Sequence, residues 1–436
     1  MRKPSSIRLL ALAMGIALPL TSAQATNSTS TNPNVICRPA KWTDVVVFYL
    51  GNYVAHAATT LNLPGQSPLG VVFVILAALF FPISGVFRGF RAISTLAIFA
   101  ETELQTAARA GALCMVVELD DRARYEFEGG EKPIQLLSTK IHGSYELPGS
   151  HGLRLVPHEA KFEGDSVGSI NLWEKVTKPF RTEIRTVTKI SCSYSLVKAF
   201  VALGQTLFAI TTLYQTKGDE LERFGFAAFG LTVAPYAFMS VINLFGNLVC
   251  PEYPAMYLVE SEALRSLRAI SAPDENDLHV WFDGVVGKLA ADSDNSVRRQ
   301  DDESAVTRGQ RPDITRVAPL LSLFLSLLVG LLKTCIAGAV PLAIIGGLSG
   351  FRTGSSSTYH QRVWTMTWLG FGIFAGGGGF KMERVENRQF FNIRRRRFAE
   401  DFRIVMATFL YAAPAIGGFV VVGQMILESG VCIEVG

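Results

Sequence analysis

Acidic residues are missing where they would matter most. No Asp or Glu falls inside any long apolar window of this 436-residue chain, and charged residues make up 18% of the whole, below the quarter usual for soluble domains. Without an intramembrane carboxylate, a proton pump or carboxylate-coupled carrier is disfavoured. Catalytic signatures are missing too: there is no G-x-S-x-G, H-E-x-x-H or Walker motif, so no enzyme class is indicated and no cofactor is implied. His142, His151 and His158 have no cysteine partners and match no zinc spacing. Asp292, Asp294, Ser296 and Glu303 fit four positions of a calcium loop, but Val297 stands where that loop needs glycine. No internal repeat divides the chain into similar halves, which weakens a transporter built on paired repeats. Nothing in composition or motif points to nucleic acid.

What the chain has is apolar length. Hydrophobic residues reach 49% and mean hydropathy is +0.29. Six windows, 68–87, 195–214, 225–249, 317–348, 363–380 and 405–427, are long enough to cross roughly 30 Å of hydrocarbon as helices. The first 25 residues read as a secretory signal, with a basic start, an apolar stretch and Ala23-Gln24-Ala25 as cleavage site. That places the segment 26–67 outside the cytosol, where Asn27-Ser28-Thr29 is a glycosylation sequon.

Charge then tests the threading. With six crossings, the cytosolic regions 88–194, 250–316 and 381–404 hold 14, 8 and 8 Lys and Arg, against 6 in all the extracytosolic segments of the mature chain. Basic residues concentrate on the cytosolic side, so an even number of crossings with both termini outside is expected. The segment 44–58 is apolar but contains Asn52 and His56 one turn apart. A seventh crossing there would invert the tally, so it is expected to lie at the interface or against the bundle as an amphipathic helix.

Between the windows, residues 92–119 read as a helix, continuing from the first span or lying along the membrane. Residues 120–189, with short alternating runs broken by Gly-Gly and Pro-Gly pairs, read as a small β-rich cytosolic insert. Residues 250–316 read as a cytosolic loop, partly disordered. Cys37 and Cys432 are the two cysteines expected in the oxidising compartment, where a disulfide between them or two separate thiols both fit the sequence.

Three residues are candidates for an intramembrane polar site. Lys333 lies in the fourth window, either anchoring near the outer boundary by its long stem or serving a buried role. Asn243 and Asn247 share one face of the third window, a pattern that joins helices by hydrogen bonds or lines a polar path. The run Arg394, Arg395, Arg396 and Arg397, just before the last window, is placed to meet anionic lipid headgroups or to fix orientation.

Two stretches, CRPAKWTDVVVFYLGNYVAHAATT (37–60) and GFAAFGLTVAPYAFMSVINLFGNLVCPEYPAMYLVES (225–261), resemble multi-pass membrane proteins of filamentous fungi. The resemblance implies a fungal source and a membrane location, and brings no catalytic residues. The expectation is therefore an all-α integral membrane protein of six transmembrane helices with a small β-containing cytosolic insert. Its expected partners are the lipid bilayer, including anionic lipids, and a cytosolic protein. The functional expectation is a non-enzymatic scaffold or sensor; the alternative is a channel or transporter using Asn243, Asn247 and Lys333.

Overall fold

The structure, a computed structural model, describes residues 35–118, 140–143, 151–163, 190–270, 283–290, 317–373, 398–429 and 431–434. The signal segment, Asn27, the calcium-like loop and Arg394 to Arg397 lie outside the described residues.

Strand β1 (Val35–Arg38) leads into helix α1 (42–58), which runs through Trp42–Tyr49, a π turn at Leu50–Val54 and Ala55–Ala58. Asp44 sits in its first turn, where the helix dipole favours an anion. It accepts from the Lys41 backbone N–H at 2.7 Å and takes the Arg38 guanidinium through both oxygens, at 2.6 and 2.8 Å. Helix α2 (Pro68–Phe80) starts with the Ser67 side chain accepting from Gly70 N. It stops at Phe81, which precedes Pro82; a residue before proline is pushed out of the helical region, and here Phe81 adopts φ −132°. Helix α3 (Pro82–Thr95) then departs at 118° to α2.

Helix α4 (Glu103–Arg109) and strands β2 (Leu113–Glu118) and β3 (His151–Leu155) follow. Helices α5 (Leu196–Gln215), α6 (Asp219–Phe224) and α7 (Ala234–Val249, entered through a 3-10 turn at Phe229–Val233) return to the apolar bundle. Strand β4 (Tyr257–Glu260), helix α8 (Glu262–Ile270) and strand β5 (Val285–Lys288) complete the polar region. Helix α9 (Val317–Ser349), helix α10 (described over 359–373), helix α11 (Phe398–Ser429) and strand β6 (Val431–Glu434) close the chain.

Four helical segments among the described residues are long and apolar enough to cross a membrane: Leu196–Gln215, Phe229–Val249, Leu328–Ser349 and Ala412–Ser429. The bent pair Pro68–Phe80 with Pro82–Phe99 would make a fifth if it counted as one span.

The bundle has two distinct ends. At one, β1 and β6 pair antiparallel with Cys37 opposite Cys432, and the loop after α9 bonds to the chain after α6, Arg352 O accepting from Phe226 N at 3.0 Å. This is the clasp end. At the other, a four-stranded sheet of order β3-β2-β4-β5 docks; β2 pairs antiparallel with β3 and parallel with β4, and β4 is parallel to β5. Successive residues of a strand face opposite ways. Leu113 and Met115 accordingly pack toward Ala107 and Ala108 of α4, while Cys114 and Val116 pack toward Leu264 and Leu267 of α8. This is the sheet end.

Three expectations change. First, of the two places expected for 44–58, α1 takes the one against the bundle, but with its polar residues inward: Asn52, Tyr53 and His56 are buried while Val46, Val47, Leu50 and Val54 are exposed, and Tyr53 packs among Phe48, Tyr236, Trp368 and Phe419. Its chain then emerges at the sheet end, where Gly65 N donates to Tyr253 O at 3.2 Å. Second, the window 68–87 is not one straight span. Helix α2 leaves the sheet end and stops at the level of Tyr236 and Trp368, whose side chains donate to Leu79 O and Phe80 O. Helix α3 turns back, reaching Cys250 beside Thr95 and Arg91. Third, residues 92–119 are not one helix: α3 ends at Leu96 in a left-handed conformation, and 113–118 is a strand. The sheet is built from both polar regions, 113–155 and 257–288, rather than from the first alone.

Candidate functional site

Helix α7 carries the polar side chains that the sequence singled out, and α1 supplies their neighbours. Nearest the clasp end, Tyr53 OH and Thr232 Oγ1 share a 2.6 Å hydrogen bond, and Thr212 of α5 donates to Asn52 Oδ1 at 3.0 Å. One level further in, His56 Nδ1 and Ser240 Oγ are 2.6 Å apart. Contacts in the order Tyr53 with Thr232, His56 with Ser240 and Leu61 with Gly246 show that α1 and α7 run in the same direction.

On its neighbouring face α7 meets α3. Gly85 and Gly89 let the two backbones approach closely, the small-xxx-small pattern of membrane helix pairs. A Cβ on Gly89 would lie 2.5 Å from Ile242 Cγ2 and 3.2 Å from Asn243 Oδ1, and one on Gly85 would collide with the Met239 sulfur. Asn243 lies in this seam, and both it and Asn247 are 0% exposed. Asn247 Nδ2 donates to the Asn243 backbone carbonyl at 2.8 Å. Both side-chain polar atoms of Asn243, together with Asn247 Oδ1, Thr60 Oγ1 and His56 Nε2, find no hydrogen-bond partner among the described residues. The expected interhelical bonding by the two asparagines is therefore not what the seam shows; close packing against glycine occupies that face instead.

Lys333 is not part of this group. It is half-buried on α9, beside exposed Leu331, Leu332 and Ile336. Since Ser349 lies at the clasp end, Lys333 is roughly 24 Å along the helix toward the sheet end at 1.5 Å per residue. That is midway along the 33 residues of α9. Between α3, α7, α9 and α10 there is a cavity of about 20 Å³ walled by Pro82, Pro235, Pro341, Leu342, Trp368 and Ile373, all apolar in character apart from the indole N–H.

A second, more polar cavity of about 40 Å³ opens at the sheet end, where the chain leaving α1 meets the last turns of α3 and α7. Asn62, Arg88, Arg91, Thr95, Cys250 and Glu252 supply its polar lining. Glu252 is bound to Lys198 at 2.5 Å. Burial holds His158 below the usual imidazole range, and the charges of Arg91 and Arg109 push the same way, so these cations share one neighbourhood.

No known family, curated protein or solved structure matches the chain. Geometry alone therefore bears on function.

At the clasp end the register sets Cys37 against Cys432. Directly opposed antiparallel residues have Cα atoms about 4.5 to 5.5 Å apart, within the range a disulfide spans. Nearby, Glu220 on α6 accepts from Gly230 N at 2.7 Å, and burial pushes its carboxyl pKa up to about 8. Among the described residues, no group of three His, Cys, Asp or Glu is placed to hold a metal. His142 stacks against Tyr257 with ring centroids 5.1 Å apart.

Sequence reasoning missed the aromatic cluster around Tyr53 and the turn at Phe81. The turn had a signal: Phe81-Pro82 sits in the middle of the first apolar window, and a helix is expected to stop before such a pair.

Proposed function

We propose that the chain is a non-enzymatic membrane component, a scaffold or sensor, that crosses the bilayer six times through α1, α5, α7, α9, α10 and α11. Both termini are extracytosolic. The α2–α3 hairpin enters and leaves on the cytosolic side, and the sheet domain rests on that face to meet a cytosolic protein partner. This threading leaves every polar region on the side that the basic residues favour: α1 adds a crossing and the hairpin removes one. The even count survives with different helices in it. A fungal membrane source accords with the resemblance of 37–60 and 225–261.

The observation that carries the functional reading is the complete burial of Asn243, sealed against Gly89, and of Asn247. A conducting path through these residues would need a hydrated cavity, and the one described between α3, α7 and α9 is small and apolar. The transport reading keeps one specific support, the row of unpartnered polar atoms along the seam. Cysteine substitution at Ser240, Asn243 and Asn247 in an otherwise cysteine-free, folded chain separates the two. A scaffold leaves all three unreactive to a hydrophilic thiol reagent from either side of the membrane. Labelling at successive positions with block of an ion or solute flux would favour transport.

A further inference from the structure

Among the described residues, two other than glycine hold their backbone left-handed, Leu96 at φ 48° and Phe351 at φ 52°. That conformation crowds the Cβ of any side chain, which is why glycine is the common residue where a helix ends this way. Leu96 follows α3, and Phe351 stands in the turn after α9. Both are large and apolar, and they are 48% and 53% exposed. One exposed leucine needs no explanation. Two apolar side chains turned outward from positions that favour glycine do.

Their levels are the second observation. Thr95, the residue before Leu96, lies against Cys250, just past the membrane-long segment Phe229–Val249. Phe351 precedes Arg352, whose carbonyl accepts from Phe226 N at 3.0 Å, just before the same segment. The segment has 21 residues, about 32 Å at the helical rise, which matches the roughly 30 Å of a hydrocarbon core. Leu96 and Phe351 thus stand level with the two ends of one bilayer-length segment. At the Phe351 end, Trp42 of α1, Tyr214 of α5 and Tyr359 of α10 are exposed as well, and such amphipathic rings favour the headgroup level. The Phe351 ring leans back over Gly346 of α9.

Leu96 does not project alone. The 3-10 turn Ala97–Phe99 follows it and sets Ala97 inside and Phe99 outside, the latter 65% exposed. Phe99 N and the Arg109 guanidinium both donate to Leu96 O, at 3.0 and 3.2 Å. The turn is thereby held from α4, the helix that packs on the sheet through Ala107 and Ala108. A leucine and a phenylalanine therefore project together from the joint between bundle and sheet domain, with a cation beside them.

We propose that Leu96 and Phe99 insert into the leaflet at the sheet end and fasten the sheet domain to the bilayer. Lipid is the occupant their position fits, since they stand where headgroups give way to acyl chains and moving such side chains from water into hydrocarbon is favourable. A protein partner would have to compete with the bilayer at that level. The inference goes beyond the scaffold reading and rests on its claim that the bundle crosses the membrane.

The test uses single-cysteine variants of the full-length chain in a cysteine-free background, labelled with an environment-sensitive fluorophore and reconstituted in phosphatidylcholine vesicles. The quenchers are phospholipids brominated near the headgroup, phospholipids brominated deep in the acyl chain, and iodide on both sides of the membrane. Phe99→Cys reports the turn, Glu101→Cys an exposed neighbour outside it, and Leu207→Cys the exposed face of α5. Shallow bromine should quench the label at 99 at least threefold more than the label at 101, and iodide should quench it at least threefold less. If Phe99→Cys fails to fold, Leu96→Cys carries the label with the same expectation. Iodide reaching these labels as freely as the one at 101 overturns the insertion and leaves the turn as a surface for a protein partner. The label at 207 separates the two readings: if deep bromine does not quench it, the crossing has failed and the insertion falls with it, whereas quenching at 207 with free iodide access at 99 overturns the insertion alone.

Discussion

Helix α7 and the turn that leads into it make two contacts of opposite character. Toward α1 they offer Thr232 and Ser240, and each finds a buried partner at 2.6 Å. Toward α3 the helix offers Asn243 to a glycine face that returns no hydrogen bond. In the first seam polar groups join two helices. In the second, packing holds the helices together while buried polar atoms oppose it, since an unsatisfied buried group costs about 1 to 3 kcal/mol. A polar residue in an apolar helix is therefore not by itself a functional site. Its neighbours decide whether it binds, conducts or is merely tolerated.

Substitutions can break that contrast. Gly89→Leu forces a branched side chain into Ile242 and Asn243, and overpacking costs about 1 to 3 kcal/mol, occasionally more; with Ile242 Cγ2 only 2.5 Å from the added Cβ, thermal unfolding in detergent should show a loss at or above the top of that range. Ser240→Ala strands the His56 imidazole and should destabilise by about 1 to 3 kcal/mol in the same assay. Asn243→Leu removes two unpartnered atoms at similar volume, so the protein should be unchanged or up to about 1 kcal/mol more stable. Equal destabilisation by Ser240→Ala and Asn243→Leu would erase the distinction between the seams.

A pH-dependent effect lies at the clasp end. Burial raises the Glu220 pKa from 4.5 to about 8, so the folded state holds a proton that the unfolded state releases between these values. Stability from this group is complete below about pH 4.5 and is lost as pH rises through about 8. Unfolding followed across that range should show the decline, and Glu220→Gln should flatten it.

How much of this was legible in the sequence depends on which force set the feature. The uneven placement of Arg and Lys reflects a rule that acts on loops, and it supports the proposed even number of crossings without saying which helices make them. How the helices pack was not legible from hydropathy. Helix α1 contains Asn52 and His56, which look prohibitive in lipid until Thr212 and Ser240 are seen to bond them. The more apolar window 68–87 looks like a span, yet Phe81-Pro82 breaks it, and the carbonyls of Leu79 and Phe80 are capped by Tyr236 and Trp368 from distant parts of the chain. The sheet was half legible. The alternation in Leu153 to Leu155 marks β3, but β4 and β5 lie more than a hundred residues further on, and no local pattern announces a pairing such as Leu113 with Tyr257.

If α1 crosses and the hairpin returns, residues 61–66 lie on the cytosolic side. Gln66→Cys in a cysteine-free background, probed with an impermeant thiol reagent on sealed vesicles of known orientation, tests this threading directly. Labelling from the cytosolic side alone is the predicted result. Labelling from the extracytosolic side alone would put α1 back at the surface, make 68–87 the first crossing, and contradict the threading.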